Sequence, residues 1–490
     1  MRRILFVLHE PGYFRLYGST IIELARRGWE VLLAYDKPHK RGGHLLVPAG
    51  AGGNVRSLGA LGALDVGAPS IATMLRTGLD YVRYLEPAFA NAGYLRRRAE
   101  KNLPKTLNVF ARVRSLPRWA VSAAIGTARL AEHLIPITRT TREFLQRVRP
   151  AVIVISPGVI LGKSGAHQTE LIKAGRKLGV PVIVGVASWD HLTSKGLLRV
   201  IPDAITVWND VQVREAVELH RVPRSRVIVT GAQSLDHWFE PPAPGAAEAF
   251  RQRLGIDPHR RVLLLVGSSK GMAPGDSEVQ FVRRWLAAIR ASGVDAVRDA
   301  FVIIRPHPGN TEQWRDVELA DAHATVYPQE YSGLPLSDLE VETFRHSMLV
   351  STAVVGINTT AMIEAAILRR PVFTIRDAAF NHSQQETLHF TYLLSTQGGC
   401  VESADTLSEH VVALERVLAT ENSNLETADR FVERFVRPRG VRESATTHLC
   451  DAIERMATGR RVGWRARETL RPGFAEDPRL TPSGIRDNNR

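Results

Sequence analysis

The sequence predicts an α/β protein with two doubly wound parallel-sheet domains and a cleft between them. Short apolar runs typical of buried strands alternate with helical patterns, and this alternation occurs twice along the chain. A proline- and alanine-rich stretch, "EPPAPGAAEAF" at 240–250, separates the two series and is typical of a linker. A length of 490 residues also exceeds what one hydrophobic core organises, so two domains are expected.

The first series begins with a βαβ unit. Its strand "ILFVLH" is followed by "EPGYFRLYGS", which we interpret as a glycine-punctuated loop, and by "TIIELARRG", a helix that ends at Gly28. The strand "EVLLAY" comes next, then a Gly/Ala-rich stretch at 49–68 and a long, basic, helical region at about 70–148. Alternation resumes with "AVIVIS", a helix at 164–178, "PVIVGV", "AITVW", a helix at 210–220 and "RVIVTG".

The second series begins with "RVLLLVGSSKG", a strand that runs into a Gly/Ser loop. The predicted elements after it are the helix "EVQFVRRWLAAIR", the strands "FVIIRPHP" and "ATVYP", a helix at 335–346, the strand "MLVSTAVVGI", a helix at 359–369, the strand "PVFTI" and helices that fill about 404–457. The expected domains are an N-terminal one at 1–239 with a basic helical insertion at about 70–148, a C-terminal one at 245–440, a helix at 441–459 and a disordered basic tail at 460–490.

The net charge of +14 is concentrated in two segments. Residues 76–149 hold 15 Lys/Arg against 5 Asp/Glu, a balance of +10, and residues 460–490 hold 8 Arg against 4 acidic residues, a balance of +4. A local basic surface predicts attraction to phosphate groups or to an anionic membrane, and we assign such a membrane contact to residues 76–149. The basic segment lacks the aromatic interleaving of a single-strand platform, so no nucleic-acid partner is expected.

The cysteine content indicates a reducing compartment. Cys400 and Cys450 cannot form a disulfide framework, and their spacing is not that of metal ligands. The sequence has no uninterrupted apolar stretch long enough to span a bilayer. We therefore expect a cytoplasmic protein, with peripheral attachment to the inner face of the membrane as an option, and leave its oligomeric state open.

The stretch "VVGINTTAMIEAAILRRPVFTI" carries the first candidate ligand site. A strand ends at Gly356, and Asn358, Thr359 and Thr360 precede a helix whose N terminus offers free N–H groups to a phosphate. Glu364 lies about one turn into that helix, where its carboxylate can accept from ribose hydroxyls. The alternative is plain helix capping, with Glu364 as a solvated residue that complements the helix dipole.

Two further loops follow strands of the same predicted sheet. In "VGSSKG", the small residues Gly267, Ser268 and Ser269 let a ligand approach the backbone, and Lys270 can meet a phosphate, although no Walker pattern is present. In "FVIIRPHPGN", Arg305 and His307 follow a strand in a loop that prolines stiffen. A polar strand end is the alternative for this loop. Ligands bind beyond the carboxyl ends of such strands, so we expect all these residues to line one cleft.

The first domain supplies the candidate general bases. In "GVASWDHLTSKG", Asp190 and His191 follow a buried strand and could deprotonate a hydroxyl nucleophile. Adjacent residues of an extended chain point in opposite directions, so a structural role for one of them stays open. His9 and Glu10, at the end of the first strand, are competing candidates.

The motifs of common metal sites are missing. No DxD occurs between strands, and HExxH and CxxC are absent. A helix dipole with Arg and Lys can stabilise a leaving phosphate, so we expect neither a metal nor a cofactor. His382, Glu386 and His389 have the spacing of one helix face; a metal pair is one interpretation, and donor contacts or ordinary surface positions are the others.

Three stretches resemble nucleotide-sugar enzymes. "VWNDVQVREAVELHRVPRSRVIVTGAQSLD", with V-x-V-T-G and the downstream Asp236, is similar to the segment that closes the first domain of non-hydrolysing UDP-GlcNAc 2-epimerases and CDP-glycerol glycerophosphotransferases. "IIRPHP" resembles the second-domain strand of both families, and "NTTAMIEAAILRRPVFTI" resembles the nucleotide-binding helix of GT-B glycosyltransferases. The likeness covers most of 1–40, 150–240 and 260–375, and it is specific for the fold but not for the reaction.

The resemblance also has departures. Where the epimerases carry SGG-x-x-EE, this chain has "GINTTAMIE", which argues against an epimerase. Where the glycerophosphotransferases carry an acidic D-Y-S-S, it has "GINTT". Residues 70–148 match neither family and resemble a lineage-specific insertion.

The resemblance implies two Rossmann-like domains of the GT-B type, with a nucleotide-diphosphate donor held by the second domain. The residues expected to line the donor are His307, Asn358, Thr359, Thr360 and Glu364. The expected activity is inverting, metal-independent transfer of a sugar from a nucleotide donor to a surface-polysaccharide or lipid-linked acceptor, with Arg305 and Lys270 on the leaving diphosphate. The alternatives are a CDP-glycerol-type polyol-phosphate transferase and a non-catalytic GT-B-like module of a capsule or cell-envelope assembly complex.

Overall fold

The first half of the chain forms a seven-stranded parallel sheet. The computed structural model describes residues 2–36, 53–61, 71–156, 166–332, 336–419 and 425–459. The strands are β1 (Arg3–Leu8), β2 (Glu30–Tyr35), β3 (Val55–Ala60), β4 (Val152–Ile155), β5 (Val182–Gly185), β6 (Ala204–Val207) and β7 (Val227–Val229). Their order is β3-β2-β1-β4-β5-β6-β7, and every residue of β4, β5 and β6 is buried, as expected of a parallel sheet covered on both faces.

The second half forms a six-stranded parallel sheet. Its strands are β8 (Val262–Val266), β9 (Phe301–Arg305), β10 (Ala324–Val326), β11 (Ala353–Gly356), β12 (Val372–Ile375) and β13 (Val401–Ala404). The order is β10-β9-β8-β11-β12-β13, so the direction of winding reverses between β8 and β11, as it does between β1 and β4 in the first sheet. The predicted fold class, two doubly wound parallel sheets, is confirmed.

Helices cover both sheets and fill the segment between β3 and β4. They are α1 (Phe14–Arg26), α2 (Ile71–Arg83), α3 (Gly93–Glu100), α4 (Arg118–Leu134), α5 (Arg139–Val148), α6 (Ala166–Leu178), α7 (His191–Ser194), α8 (Asp210–Arg214), α9 (Ala246–Arg253), α10 (Ser277–Arg290), α11 (Asp295–Arg298), α12 (Asp338–Val350), α13 (Ala361–Ile367), α14 (Leu407–Ala419), α15 (Leu425–Phe431) and α16 (Ala445–Ala457). Single π-helical turns extend α8 over Glu215–Leu219 and α15 over Val432–Val436.

Several element boundaries differ from those predicted. The segment predicted as a loop after β1 is helical from Phe14, because Tyr17, Ile21 and Leu24 give it a continuous buried face that includes Gly18. The predicted linker is helical over α9, and the predicted strand "MLVSTAVVGI" is helical up to Val350.

The edge strands β3 and β13 were not predicted. Their sequences, "VRSLGA" and "VESA", mix buried positions with partly or fully exposed ones and lack the continuous apolar run by which the edge strand β7 was predicted. The predicted tail at 460–490 and the first two residues of the helix predicted at 164–178 lie outside the described residues.

Helices α2 to α5 form the basic insertion and hold the short helix α7. Arg83 donates from Nη1 to the carbonyl of Lys195 at 2.7 Å and also donates to the carbonyl of Leu192. Arg98 donates to the carbonyl of Ser194, and Tyr84 donates to that of Lys195 at 3.1 Å. The insertion therefore fixes the segment that follows β5. Within the described residues, no helix combines the length and apolar content needed to cross a bilayer.

The C-terminal helix α16 returns to the first sheet. Leu449, Cys450 and Ile453 are buried in the same core cluster as Phe6 of β1 and Leu24 of α1. This packing covers one face of the first sheet with residues from the end of the chain.

Asp236 fixes the point at which α16 begins. It lies in the turn after β7, and its side chain is 12% exposed. Its carboxylate accepts from Arg437 Nη2 at 2.6 Å, from Ser444 Oγ at 2.8 Å and from the backbone N–H of Thr446 at 2.7 Å. A carboxylate at a helix N terminus also complements the helix dipole.

We expect Asp236→Ala to lower the free energy of unfolding by about 3 kcal/mol or more, because it leaves the buried Arg437 guanidinium unpaired and α16 uncapped. The matched control is Asp295→Ala, which removes an 80% exposed carboxylate from its pair with Arg298 and should cost less than about 0.5 kcal/mol. Urea denaturation of both variants measures the difference. Equal, small losses would contradict the role given to Asp236.

Candidate functional site

The candidate site lies where the winding of each sheet reverses. In the second sheet, β8 is followed by Gly267 and β11 by Asn358. In the first sheet, β1 is followed by His9. The segments beyond the two sheets meet, since Trp189 Nε1, after β5, donates to Thr360 Oγ1, after β11, at 3.4 Å. Crevices at such switch points are where open α/β sheets bind ligands.

Gly267 allows the ends of β8 and β9 to approach closely. Its N–H donates to the carbonyl of Arg305 at 2.8 Å. A Cβ at this position would lie 2.7 Å from the backbone nitrogen of His307 and 3.0 Å from the carbonyl oxygen of Arg305. No side chain fits there, so the glycine brings the backbone of the predicted Gly/Ser loop next to His307.

Buried polar side chains hold the Gly/Ser loop. The backbone N–H of Ser268 donates to Glu278 Oε1 at 2.8 Å, and its carbonyl accepts from Asn310 Nδ2 at 3.0 Å. Burial raises the pKa of the Glu278 carboxyl to about 7. The carbonyl of Ser269 accepts from the N–H groups of Met272 and Ala273, which turns the chain back. Sequence reasoning did not single out Glu278 or Asn310.

The Asn-Thr-Thr segment is held by contacts that leave two backbone N–H groups unpaired. Asn358 donates from Nδ2 to the carbonyl of Ser383, and its backbone nitrogen lies 3.5 Å from Ser268 Oγ. Thr360 is the N-cap residue but its side chain makes no cap hydrogen bond. Among the described residues, the backbone N–H groups of Thr359 and Thr360 have no hydrogen-bond partner. Thr359 Oγ1 accepts from the N–H of Ala361, the first residue of α13, at 3.5 Å, so a weak capping contact is present beside the two available N–H donors.

His307 presents a neutral imidazole to this region. Its Nδ1 accepts from the backbone N–H of Gly309 at 3.0 Å, so Nε2 carries the proton of the neutral ring. Burial, assisted by the charge of Arg15, lowers the pKa of His307 to about 4. At neutral pH the residue is therefore a hydrogen-bond donor and not a cation.

The charge of Arg15 on α1 acts on the Glu364 carboxyl of α13 in the other half of the molecule. Glu364 is half-buried on α13, and burial raises the pKa of its carboxyl to about 7, while the charge of Arg15 on α1 works in the opposite direction. The same guanidinium influences His307, so Arg15 lies near both second-domain residues. Sequence reasoning missed Arg15 because it placed this stretch in a loop, and no local pattern reports a partner about 290 or more residues away.

Arg305 does not fulfil its predicted role. The side chain is 3% exposed and lies beneath α12, where Nη2 donates to the carbonyl of Glu340 at 2.9 Å and the guanidinium stands 4.9 Å from the centre of the Phe344 ring. Burial lowers its pKa. This arrangement contradicts the expected contact with a leaving diphosphate, because strand alternation turns the last residue of β9 towards α12.

Lys270 lies on the surface. Its Nζ is 3.2 Å from Glu312, and the two side chains are 69% and 77% exposed. An exposed pair of this kind contributes little energy, so it does not prevent Lys270 from meeting a phosphate, and that role stays a prediction.

His9 and Glu10 lie at the end of β1. His9 is 6% exposed, its Nδ1 stands 3.6 Å from Asp36 Oδ2, and its ring packs edge-on against Tyr13 with centroids 5.4 Å apart. Asp36 follows β2 and also lies 3.5 Å from His167 Nδ1. Glu10, half-exposed, precedes the turn that leads into α1. With Nδ1 directed at a carboxylate, Nε2 of His9 is the nitrogen left to take a proton.

Asp190 and His191 begin α7. Both oxygens of Asp190 accept hydrogen bonds, Oδ1 from Ser188 Oγ and Oδ2 from Ser194 Oγ at 2.6 Å. Burial favours protonation, but the charges of Lys195 and His191 outweigh it and hold the pKa of Asp190 below its usual value. Burial lowers the pKa of His191 to about 4. The roles of Asp190 and His191 as general base stay a prediction.

His382, Glu386 and His389 diverge towards the first domain instead of forming one face. His382 packs against the ring of Tyr94, with 5.3 Å between the ring centroids. Glu386 forms an ion pair with Arg97, and Nδ1 of His389 lies 3.0 Å from Thr193 Oγ1. They join the second domain to the insertion and to α7. Over the described part of the chain, no cluster of three or more potential ligand side chains has the geometry of a metal site.

We expect Gly267→Ala to destabilise the protein by about 1–3 kcal/mol, because the added Cβ would overlap backbone atoms of the neighbouring strand end. Gly126→Ala is the control, since a Cβ there, in the middle of α4, meets nothing within 4 Å and should stabilise the helix by about 0.5–1 kcal/mol. Thermal unfolding of both variants measures the two effects, and a Gly267→Ala variant as stable as wild type would refute the close approach.

Comparison with known proteins gives one local sequence match. The chain is 30% identical over 119 residues to a UDP-N-acetylglucosamine–N-acetylmuramyl-(pentapeptide) pyrophosphoryl-undecaprenol N-acetylglucosamine transferase of Frankia casuarinae. The matched region spans 24% of this chain and 29% of that protein. No protein-family model matches the chain.

Solved structures with similar topology cover most of the chain at low identity. The UDP-GlcNAc 2-epimerase of Neisseria meningitidis, bound to UDP-GlcNAc, is 11% identical, with 92% of this chain and 100% of that chain covered and a TM-score of 0.48. The UDP-N-acetylglucosamine 2-epimerase of Rickettsia bellii is 12% identical, with 94% of this chain and 97% of that chain covered and a TM-score of 0.48. WaaG, a glycosyltransferase involved in lipopolysaccharide biosynthesis, is 12% identical, with 92% of this chain and 99% of that chain covered and a TM-score of 0.45.

These structural likenesses are too distant to transfer an activity or a substrate. The architecture of the chain itself is definite: two parallel doubly wound sheets with facing switch points, and a C-terminal helix that returns to the first sheet. The chain has the GT-B fold that its sequence motifs indicate.

Proposed function

We propose that the protein is an inverting, metal-independent glycosyltransferase that moves a sugar from a nucleotide-diphosphate donor to a glycan or lipid-linked acceptor. The observation that carries the proposal is the group of hydrogen-bond donors beyond β8 and β11. Neutral His307 and the unpaired N–H groups of Thr359 and Thr360 lie there, and the charge of Arg15 on α1 acts on His307.

The donor diphosphate is assigned to this group. An imidazole N–H, two backbone N–H groups and a guanidinium are suited to phosphate oxygens, and they need no rearrangement to receive charge that develops as the bond to the sugar breaks. Arg15 takes the place that was predicted for Arg305, and Lys270 stays a second candidate cation. Glu364, on the same helix, is assigned to the ribose hydroxyls.

The acceptor is assigned to the first domain, with His9 as the general base. The acceptor hydroxyl attacks the anomeric carbon as its proton passes to His9 Nε2, the carbon–oxygen bond to the diphosphate breaks, and the nucleoside diphosphate leaves. Asp36, 3.6 Å from Nδ1, stabilises the imidazolium that forms. Glu10 is the alternative base on the same loop.

A panel of nucleoside diphosphates tested by thermal shift decides whether the site binds a donor. At least one of UDP, GDP, CDP and ADP should stabilise the protein, by about 2.7 kcal/mol at a hundredfold excess over its Kd. His307→Ala should weaken this effect, whereas His259→Ala, at an exposed position away from the loop, should preserve it. Stabilisation by CDP alone would favour the polyol-phosphate transferase, and none by any nucleotide would favour the non-catalytic module.

The contact of Glu364 with ribose predicts a pH dependence of nucleotide binding. The carboxyl has a pKa of about 7 in the free protein, and hydroxyl donors would stabilise its charged form and lower that pKa. Binding should then release a proton, so affinity should rise between about pH 5.5 and pH 7.5. In Glu364→Gln this rise should become smaller, leaving the part that comes from the terminal phosphate of the nucleotide, whose second pKa is about 6, as measured by calorimetry across that range. An unchanged pH profile in the variant would remove Glu364 from the site.

A further inference from the structure

Helix α4 of the insertion presents an exposed apolar stripe. Trp119, Leu130 and Leu134 are 74%, 66% and 81% exposed. At 100° per residue, these three positions lie within about 60° of one another around the helix axis. The opposite face of the helix is buried, with Val121 and Ile125 packed against α2 and the segment after α7. Single exposed apolar side chains are common on protein surfaces. Several large apolar side chains on one face of a helix instead indicate an interaction surface.

Basic residues flank the stripe at both ends. Arg112 and Arg114 precede α4, Arg118 is its first residue, Arg139 and Arg142 follow it, and all five are exposed. Residues 101–149 hold 10 Lys/Arg against two acidic residues.

The two acidic residues of this segment offset little of the charge around the stripe, since only Glu143 pairs with a flanking arginine. Glu132 is buried, 2.6 Å from Arg76 and 3.1 Å from Lys173, on the side that faces the protein. Glu143 pairs with Arg139 at 2.6 Å. The exposed surface around α4 is therefore apolar along its centre and positive at its ends.

We propose that α4 is an interfacial helix that docks the protein on an anionic lipid bilayer. A helix of this kind lies in the plane of the interface with Trp and Leu among the acyl chains and Arg at the headgroups. At 17 residues, α4 is about 25 Å long, which allows both ends of the stripe to reach one planar surface. Three side chains offer much less than the ~800 Å² per partner of a standard protein interface, so a second copy of the chain fits the stripe poorly.

The docking position brings the candidate site close to the bilayer. Arg129 of α4 donates to the carbonyls of Leu198 at 2.7 Å and His220 at 2.6 Å. Leu198 belongs to the segment that follows α7, beside the first-domain wall of the cleft. The acceptor is then a membrane-borne, lipid-linked molecule. This assignment of the acceptor rests on the proposed function, whereas the membrane contact does not.

Vesicle flotation of the full chain tests the docking. Wild type should bind vesicles of phosphatidylglycerol and phosphatidylcholine, bind phosphatidylcholine alone more weakly, and dissociate as salt is raised. The variant W119S/L130S/L134S should lose about tenfold or more of its partitioning into the anionic vesicles. The matched control L339S/V412S removes apolar side chains that are 60% and 63% exposed elsewhere, and it should bind as wild type does.

Three results would overturn the docking proposal. They are wild type that does not bind anionic vesicles, a triple variant that binds as well as wild type, and a control variant that loses as much. Light scattering that shows a wild-type dimer and a monomeric triple variant would assign the stripe to a second copy instead.

Calorimetry with UDP, GDP, CDP and ADP on the same preparations separates the two proposals. Nucleotide binding that the triple variant does not change supports an independent membrane contact. Wild type that binds vesicles but no nucleotide contradicts the proposed function alone.

Discussion

The carboxylate of Asp236 is the contact on which the two-domain arrangement depends. It joins the turn after β7 to Arg437 and to the first turn of α16, so one side chain links the end of the first sheet to the end of the chain. A carboxylate with so little exposure is tolerated because N–H and O–H donors satisfy both oxygens. The apolar side of α16 then covers the first sheet near β1. Since β1 delivers His9, the same contact supports the acceptor side of the candidate site.

The second-domain side of the candidate site is built by loops that are restrained while certain N–H groups stay unpaired. Glu278 and Asn310 hold Ser268, and the carbonyl of Ser383 holds the amide of Asn358. Neither restraint uses the N–H groups of the two threonines, and Gly309 occupies only one nitrogen of the His307 ring. A loop fixed by buried polar contacts keeps its free donors in place before a ligand arrives, which is the condition for strong electrostatic stabilisation of developing charge.

The predictable parts were those with a strong local signal. Continuous Val/Ile/Leu runs located the central strands, and the carboxyl-end rule located His307 and the Asn-Thr-Thr segment without a structure. Strands β3 and β13 lack such runs and mix buried positions with partly or fully exposed ones, so no strand was predicted there. The direction of Arg305 depends on α12, and the proximity of Arg15 to Glu364 depends on how the two halves meet. Neither relation can be predicted from the spacing of residues along the sequence.

The most direct test of the donor-site assignment is hydrogen–deuterium exchange of the full chain with and without the nucleoside diphosphate that binds it. The unpaired backbone N–H groups of Thr359 and Thr360 should exchange freely without ligand and become protected when phosphate oxygens accept from them. We expect protection in peptides covering 357–362 and 305–310, with β10 at the far edge of the sheet unchanged. Nucleotide binding that leaves 357–362 unprotected would contradict the assignment of the donor to this switch point.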